Sequence, residues 1–209
     1  MNRVRPRGLI LDFGGVLTSD FFEVLRGFCR REGLPEDSLL HLISIDDGAK
    51  SVLVDLERGA IGQGEFEAQV AGLLGVPQAG LVQRIMADLK PEDPVLKACE
   101  ELRRHGIKVG VLSNSWGSEP FDLYEPWHLE ESFDSIVISH RVGLRKPDPR
   151  IFELAVHGLG LAPEECVYVD DIAVYLEPAR EVGMRVVHHT DATMTIRELE
   201  TIFTVPLPI

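Results

Sequence analysis

The chain has 209 residues, of which 44% are hydrophobic, so it is long enough for one domain, or for one domain with a sizeable insertion, around an ordinary core. The formal net charge of −13 argues against nucleic acid and against an anionic membrane surface as partners, because both require a positive field on the protein. An anionic substrate stays compatible with this charge if the pocket that binds it is locally positive.

No apolar run approaches the ~20 residues that a membrane-spanning helix needs. The basic segment at residues 1–7 is followed by an apolar stretch that is too short for a signal sequence and that stops at Asp12. We therefore expect a cytoplasmic protein. Cys29, Cys99 and Cys166 are scattered among apolar neighbours without metal-ligand or redox spacing, so we expect all three to be buried.

Five short apolar runs rich in Val, Ile and Leu alternate with helical patterns along the chain. This alternation predicts an α/β fold in which a Rossmann-like parallel sheet is flanked by helices on both faces. The predicted strands are residues 8–12, 107–112, 135–139, 166–169 and 185–188.

Between the first two predicted strands, apolar residues recur at helical spacing, and several of these stripes end at a glycine. The stripes are Phe21, Leu25 and Phe28 before Gly33; Val52, Leu53 and Leu56 before Gly59; Phe66, Val70, Leu73 and Leu74 before Gly75; and Leu81, Ile85 and Leu89. A helical block of about 70 residues is too long for a crossover, so we predict an inserted all-helical cap domain over residues 19–90. Residues 1–18 and 91–209 then form the core, which the chain re-enters through a helix with Asp93 as N-cap and Pro94 as its first residue.

The first polar segment is Asp12-Phe13-Gly14-Gly15, at the end of the first predicted strand. Ligands of open α/β sheets bind at the carboxyl ends of the strands, which is where this acid lies. The two glycines allow backbone N–H groups to approach an anion closely. The segment therefore predicts an active-site loop.

The second polar segment, Ser113-Asn114-Ser115, ends the second predicted strand. Taken alone, it favours the N-cap of a following helix over an anion-binding turn, because Ser and Asn are good N-caps. The third segment carries Lys146 between Arg145 and Pro147. The prolines at positions 147 and 149 keep this segment stiff, so the ammonium group can serve as a fixed point charge for a phosphate.

The fourth polar segment, Asp170-Asp171, ends a strand that is otherwise apolar. Two carboxylates in such a position repel each other unless a cation or strong hydrogen-bond donors lie between them. Oxygen ligands of this kind suit Mg²⁺, which is typically bound through one or two carboxylates.

In this order, the four segments Asp12-Phe13-Gly14-Gly15, Ser113-Asn114, Lys146-Pro147-Asp148-Pro149 and Asp170-Asp171 resemble the four motifs of the haloacid dehalogenase superfamily. The resemblance extends from residue 8 to about residue 187. The segment at residues 55–61 is similar to the helical-cap branch, which includes the phosphatase domain of soluble epoxide hydrolase and small sugar-phosphate phosphatases.

The resemblance implies a Mg²⁺-dependent phosphatase that hydrolyses a small phosphorylated metabolite, as a monomer or a homodimer. Asp12 would be the nucleophile that forms an aspartyl-phosphate, and Lys146 would balance its charge. The phosphoryl group would be held by Gly14, Gly15, Ser113, Asn114 and Lys146. The metal would be held by Asp12, the backbone carbonyl of Gly14 and Asp171, with Asp170 supporting it from the outer coordination sphere.

One departure from the family pattern is Gly14, because phosphatases of the family usually carry a second acid at this position. Losing a general acid typically costs about 10²–10⁴ in rate, so we expect a slower phosphatase that prefers good leaving groups. A Gly14→Asp variant should gain most on poor leaving groups. Asp20, Asp46, Asp47 and Glu57 are candidates for a substitute acid.

A second departure is Tyr175, where the branch often has asparagine. Phe21, Phe22 and Trp116 lie close in sequence to the motifs, and we expect them to pack in the core rather than to line an apolar substrate pocket.

Two alternatives to the phosphatase stay open. A haloacid dehalogenase would use Asp12 to displace halide at carbon, and such enzymes also lack the second acid. They need no metal, however, so the pair Asp170-Asp171 argues against this alternative. A phosphate-binding regulatory protein that has lost turnover is compatible with both Gly14 and Tyr175.

Overall fold

The structure is a computed structural model that describes residues 4–208, so residues 1–3 of the basic N-terminal segment lie outside the described residues. Its five strands are β1 (Gly8–Leu11), β2 (Lys108–Ser113), β3 (Ser135–Ile138), β4 (Cys166–Asp170) and β5 (Arg185–His188). They form a parallel sheet in the order β3-β2-β1-β4-β5. The predicted α/β fold is confirmed, and each strand lies within a residue of its predicted bounds.

β1 occupies the centre of the sheet, where Leu11 pairs with Val111 of β2 on one side and with Val169 of β4 on the other. Every residue of β1 and β4 is buried, as expected for parallel strands that are covered on both faces. Because β1 lies between β2 and β4, the carboxyl ends of these three strands are neighbours.

Successive side chains of a strand point to opposite faces, and the core divides accordingly. On one face, Leu9 and Leu11 pack with α6 (Asp93–Arg104) and α11 (Ala192–Phe203). On the other face, Ile10 packs with α9 (Pro149–Leu159) and α10 (Leu176–Val182). The single turns α7 (Leu129–Ser132) and α8 (Ser139–Val142) flank β3.

Five helices separate β1 from α6. They are α1 (Phe21–Arg31), α2 (Ser38–Ile45), α3 (Asp47–Glu57), α4 (Gln63–Leu74) and α5 (Leu81–Ile85), and a 3-10 turn, Met86–Asp88, follows α5. The predicted helical stripes correspond to α1, α3, α4 and α5. α2 was missed because five of its eight residues are apolar and lie around most of the helix, so its sequence shows no one-sided stripe. The division into a cap at residues 19–90 and a core stays a prediction.

The predicted N-cap of α6 was wrong by one residue. The helix begins at Asp93 itself, and Glu92 precedes it as the cap residue. Asp93 is favourable in the first turn because its charge complements the helix dipole. Pro94 is tolerated there because the first N–H groups of a helix have no partner within the helix.

All three cysteines are buried, as predicted. Among residues 4–208, no helix combines the length and the apolar character that a bilayer crossing requires.

Candidate active site

The carboxyl edge of the sheet brings the predicted polar segments together. Asp12 directly follows β1, Ser113 is the last residue of β2, and Asp170 is the last residue of β4. Lys146 reaches the same place from the segment that precedes α9, whose N-cap is Asp148. We call Asp12, Ser113, Lys146, Asp170 and Asp171 the catalytic floor.

Lys146 is the positive centre of the catalytic floor. Its side chain is 1% exposed, and its Nζ lies 2.8 Å from Asp12 Oδ1 and 2.8 Å from Asp170 Oδ2. Burial alone would lower the pKa of Lys146, but the two carboxylates raise it above its ordinary value. The ammonium group therefore stays charged inside the protein, where unpaired charge is strongly unfavourable.

The two adjacent acids have different surroundings. Asp170 is fully buried: its Oδ2 accepts hydrogen bonds from Lys146 and from the hydroxyl of Tyr168, and its Oδ1 accepts one from the N–H of Ile172 at 2.8 Å. Asp171 is only half-buried, yet its Oδ1 is buried without a hydrogen-bond partner among the described residues. A buried carboxylate oxygen without a donor is rare, and either a cation or a water molecule beside it would satisfy it.

The floor carries more negative than positive charge. One carboxylate oxygen from each of Asp12, Asp170 and Asp171 lies within 4.8 Å of the others. Burial, reinforced by Asp170 and Asp171 and opposed by Lys146, raises the pKa of Asp12 to about 8. Burial and the charge of Asp170 raise the pKa of Asp171 to about 6. A hard divalent cation would offset this repulsion, and the oxygen ligands fit Mg²⁺.

Gly15 is required by the packing of Asp171. Its φ of +81° lies in the left-handed region, and a Cβ at this position would come within 2.5 Å of Asp171 Oδ2. Its N–H donates a hydrogen bond to Thr18 Oγ1 at 3.1 Å. The structure thus gives Gly15 a steric role beside Asp171, while its contact with a phosphoryl group stays a prediction.

The Ser113-Asn114-Ser115 segment does not cap a helix, so that expectation was wrong. The carboxamide of Asn114 bonds the backbone of Lys146 twice: its Oδ1 accepts from the N–H at 2.9 Å, and its Nδ2 donates to the carbonyl at 3.2 Å. Ser113 Oγ lies 2.9 Å from the hydroxyl of Tyr124. The side chains that could cap a helix therefore form hydrogen bonds within the site instead.

A pocket lies above the catalytic floor. Phe13 and six further apolar side chains line it, and we call these six the apolar wall: Phe21, Phe22, Leu89, Trp116, Leu123 and Ile172. Trp116 is 5% exposed, and its ring lies 5.8 Å from that of Phe21 and 5.4 Å from that of Phe66, centroid to centroid. The expected core packing is confirmed for Trp116, and Phe21 packs against the core. Phe21, Phe22 and Trp116 also line the pocket, which is the alternative that the sequence favours less.

Of the four candidate substitute acids, only Glu57 lines this pocket. Asp20 is the N-cap of α1, Asp46 is the N-cap of α3, and Asp47 begins α3. Glu57 is 5% exposed and forms an ion pair with Arg145 Nε. Burial raises the pKa of Glu57, and the charge of Arg145 opposes that rise.

Two tyrosines around Lys146 were not predicted to contribute to the site. The Tyr175 ring centroid lies 4.9 Å from Lys146 Nζ, a distance suited to a cation–π contact. Tyr168 sits inside β4, where its residue type indicates only a buried strand, but its hydroxyl donates to Asp170. An aromatic face thus occupies the position where the branch often has asparagine.

Residues 6–183 match the family model described as haloacid dehalogenase-like hydrolase. Because this match covers most of the chain, the protein belongs to the haloacid dehalogenase-like hydrolases. The resemblance carried by the four motifs is confirmed, and the protein is an enzyme of the hydrolase class.

The chain is also similar to individual relatives. It is 32% identical over 61% of its length to bifunctional epoxide hydrolase 2 of Sus scrofa, although it spans only 24% of that protein. It is 31% identical to a phosphatase of Mycobacterium tuberculosis, over 85% of this chain and 84% of that protein. A HAD family enzyme of Bacteroides thetaiotaomicron, solved with magnesium and inorganic phosphate, shares the fold with a TM-score of 0.65 and 21% identity, over 88% of this chain and 93% of that chain.

Proposed function

We propose that this enzyme is a Mg²⁺-dependent phosphatase that hydrolyses the phosphate monoester of a small metabolite through an aspartyl-phosphate on Asp12. The observation that carries the proposal is the buried Lys146 shared by Asp12 and Asp170, beside the unpartnered oxygen of Asp171. Two relatives add support, since one is named a phosphatase and another was solved with magnesium and inorganic phosphate.

The first step is attack of Asp12 on phosphorus. Its Oδ1 is held by Lys146 Nζ at 2.8 Å and by the N–H of Phe13 at 2.7 Å, which orients the carboxylate, and Oδ2 would be the attacking oxygen. The bond from phosphorus to the ester oxygen breaks, and the leaving oxygen takes a proton from solvent water to depart as the alcohol, because Gly14 has no acidic side chain to supply one. Lys146 balances the charge of Asp12 and of the transferring group, which is the main task of a protein in phosphoryl transfer.

The second step is attack of water on the phosphorus of the aspartyl-phosphate, which releases inorganic phosphate and restores Asp12. Gly14 offers no side chain for proton transfer in either step, so we expect both steps to be slower than with a second acid. Mg²⁺, held by Asp12, Asp171 and the backbone carbonyl of Gly14, would supply shielding between the carboxylates and the phosphoryl oxygens. Asp170 would hold Lys146 in place from outside the coordination sphere.

We also propose that residues 19–90 form a cap over the core. Phe21, Phe22, Glu57 and Leu89 come from this segment and line the pocket above the catalytic floor. The floor itself comes from the core segments. Substrate binding would thus be divided between the two parts of the chain.

The test is phosphate release from p-nitrophenyl phosphate by the wild type and by Asp12→Asn, each with Mg²⁺ and with EDTA. We expect activity that needs the metal, and a loss of kcat of at least about 10³-fold in the variant, because a nucleophile is removed. The matched control is Asp191→Asn at the N-cap of α11, where asparagine caps as well as aspartate does.

Phosphate release that survives Asp12→Asn would contradict the proposal. Halide release from 2-chloropropionate without phosphate release would instead favour the dehalogenase alternative. Tight binding of inorganic phosphate without turnover would favour the regulatory alternative.

A further inference from the structure

The pocket has two chemically different sides, and the side away from Asp12 indicates what the enzyme binds. We infer that the substrate is the phosphate monoester of an apolar alcohol, whose hydrocarbon body packs against the apolar wall. This inference rests on the proposed phosphatase function and adds the chemical class of the leaving group.

The apolar wall is assembled from four separate parts of the chain. Phe21 and Phe22 are the first two residues of α1, Leu89 follows the 3-10 turn after α5, Trp116 and Leu123 belong to the segment after β2, and Ile172 follows the acidic pair. The Phe21 and Trp116 rings meet nearly edge to face, at an interplanar angle of 70°. These contacts fix an apolar surface before substrate arrives, and binding an apolar body against it removes that surface from water.

The lining of the pocket also favours an apolar body over a short polyol. A longer apolar body covers more of the apolar wall than a three-carbon polyol does, and the hydrophobic effect favours binding in that direction.

Gly14 and Phe21 extend the apolar character to the loop that follows Asp12. A Cβ on Gly14 would lie 3.4 Å from Cδ2 of Phe21, so the space where a second acid would project is bordered by an aromatic ring. Hydroxyl groups of a sugar placed there would lose hydrogen bonds to water without gaining partners from the wall. An apolar leaving group carries no such penalty.

Glu57 further limits the class of substrate that the pocket can bind. Outside the catalytic floor, it is the one charged side chain among the residues that line the pocket within the described range. Its partner Arg145 is not part of the lining, so the carboxylate is the charge that a ligand meets. A second anionic group on the substrate, such as a carboxylate, would be repelled by it.

The test compares kcat/KM for phosphate esters of primary alcohols, so that leaving-group chemistry stays similar. Octyl phosphate and naphthylethyl phosphate should each exceed glycerol phosphate by at least about 10²-fold, because each buried methylene contributes roughly fourfold. Phosphoglycerate, which adds a carboxylate, should be hydrolysed more slowly than glycerol phosphate.

Two variants, with one control, test the apolar wall and the charge of Glu57 separately. Phe22→Ser, at a half-buried position whose replacement leaves the core intact, should lower the octyl-to-glycerol ratio of kcat/KM about tenfold. Leu73→Ser, at an exposed leucine outside the pocket, should leave that ratio unchanged. Glu57→Gln should raise phosphoglycerate relative to glycerol phosphate at least about threefold.

The inference is overturned if glycerol phosphate is hydrolysed as efficiently as octyl phosphate while hydrolysis of p-nitrophenyl phosphate still requires Asp12. Failure of every ester, p-nitrophenyl phosphate included, would overturn the proposed phosphatase instead. A preference for either apolar ester over glycerol phosphate, sensitive to Phe22→Ser, supports the inference whichever of the two is the better substrate.

Discussion

The catalytic floor and the apolar wall face each other across one pocket, yet they are built in different ways. Most of the floor comes from residues at or next to strand ends, whose positions are fixed by the register of a central buried sheet. The wall comes from helix starts and connecting segments, and ring packing holds it in place. In the proposed function, the sheet would set where phosphoryl transfer occurs, while the segments between strands would set what can bind.

The catalytic floor and the apolar wall are also stabilised by different interactions. In the floor, carboxylates and an ammonium group are buried together, and each depends on its partners for stability. In the wall, removal of one side chain costs the contacts of that side chain and leaves no charge unpaired. Substitutions in the floor should therefore affect stability and activity together, whereas substitutions in the wall should chiefly alter substrate preference.

The largest effect should come from Lys146→Met. This change leaves the buried carboxylates of Asp12 and Asp170 without their shared cation, so we expect a loss of about 3–5 kcal/mol in the free energy of unfolding. Urea unfolding at neutral pH measures it.

The matched control for that variant is Lys108→Met, at an exposed lysine at the start of β2 whose ammonium donates to the carbonyl of Leu159. Its cost should stay within about 1 kcal/mol, typical of a single surface hydrogen bond. Equal losses in the two variants would contradict the assignment of Lys146 as the centre of the floor.

A smaller effect is expected from Gly15→Ala. The left-handed backbone should cost about 1–3 kcal/mol of stability, and the new Cβ should displace Asp171. A displacement of this kind should lower kcat about 10²-fold and raise the Mg²⁺ concentration needed for half-maximal activity. Magnesium titrations of the phosphatase rate measure both quantities.

Gly33→Ala separates the two causes in that experiment. Gly33 has a similar φ of +73°, but nothing lies within 4 Å of its added Cβ. The Gly33→Ala variant should lose a comparable free energy of unfolding and keep the phosphatase activity of the wild type. An unchanged magnesium requirement in Gly15→Ala would show that Asp171 does not depend on this close packing.

The floor could be predicted from the sequence, whereas of the wall only Phe21, Phe22 and Trp116 were considered, and as the less favoured alternative. Asp12 and the acidic pair each follow a continuous apolar run, so their position at strand ends can be predicted from the sequence alone. Trp116 and Glu57 lie far from Asp12 in sequence, and their approach depends on how α1, α3 and the segment after β2 pack. Arg145 was missed for the same reason, because its partner Glu57 is distant in the chain. Tyr168 was missed because a tyrosine inside an apolar strand indicates only a buried position, although its partner Asp170 is nearby in the sequence.

The central claim is covalent catalysis by Asp12, and trapping the intermediate tests it most directly. The enzyme is mixed with p-nitrophenyl phosphate and Mg²⁺ and quenched with borohydride, which reduces an acyl phosphate to the alcohol. Because Gly14 supplies no base to activate water, the intermediate should accumulate, and position 12 should be recovered as homoserine by peptide mapping. Gly14→Asp should lower the trapped fraction. Phosphate release at the full rate with position 12 recovered only as aspartate would contradict the account.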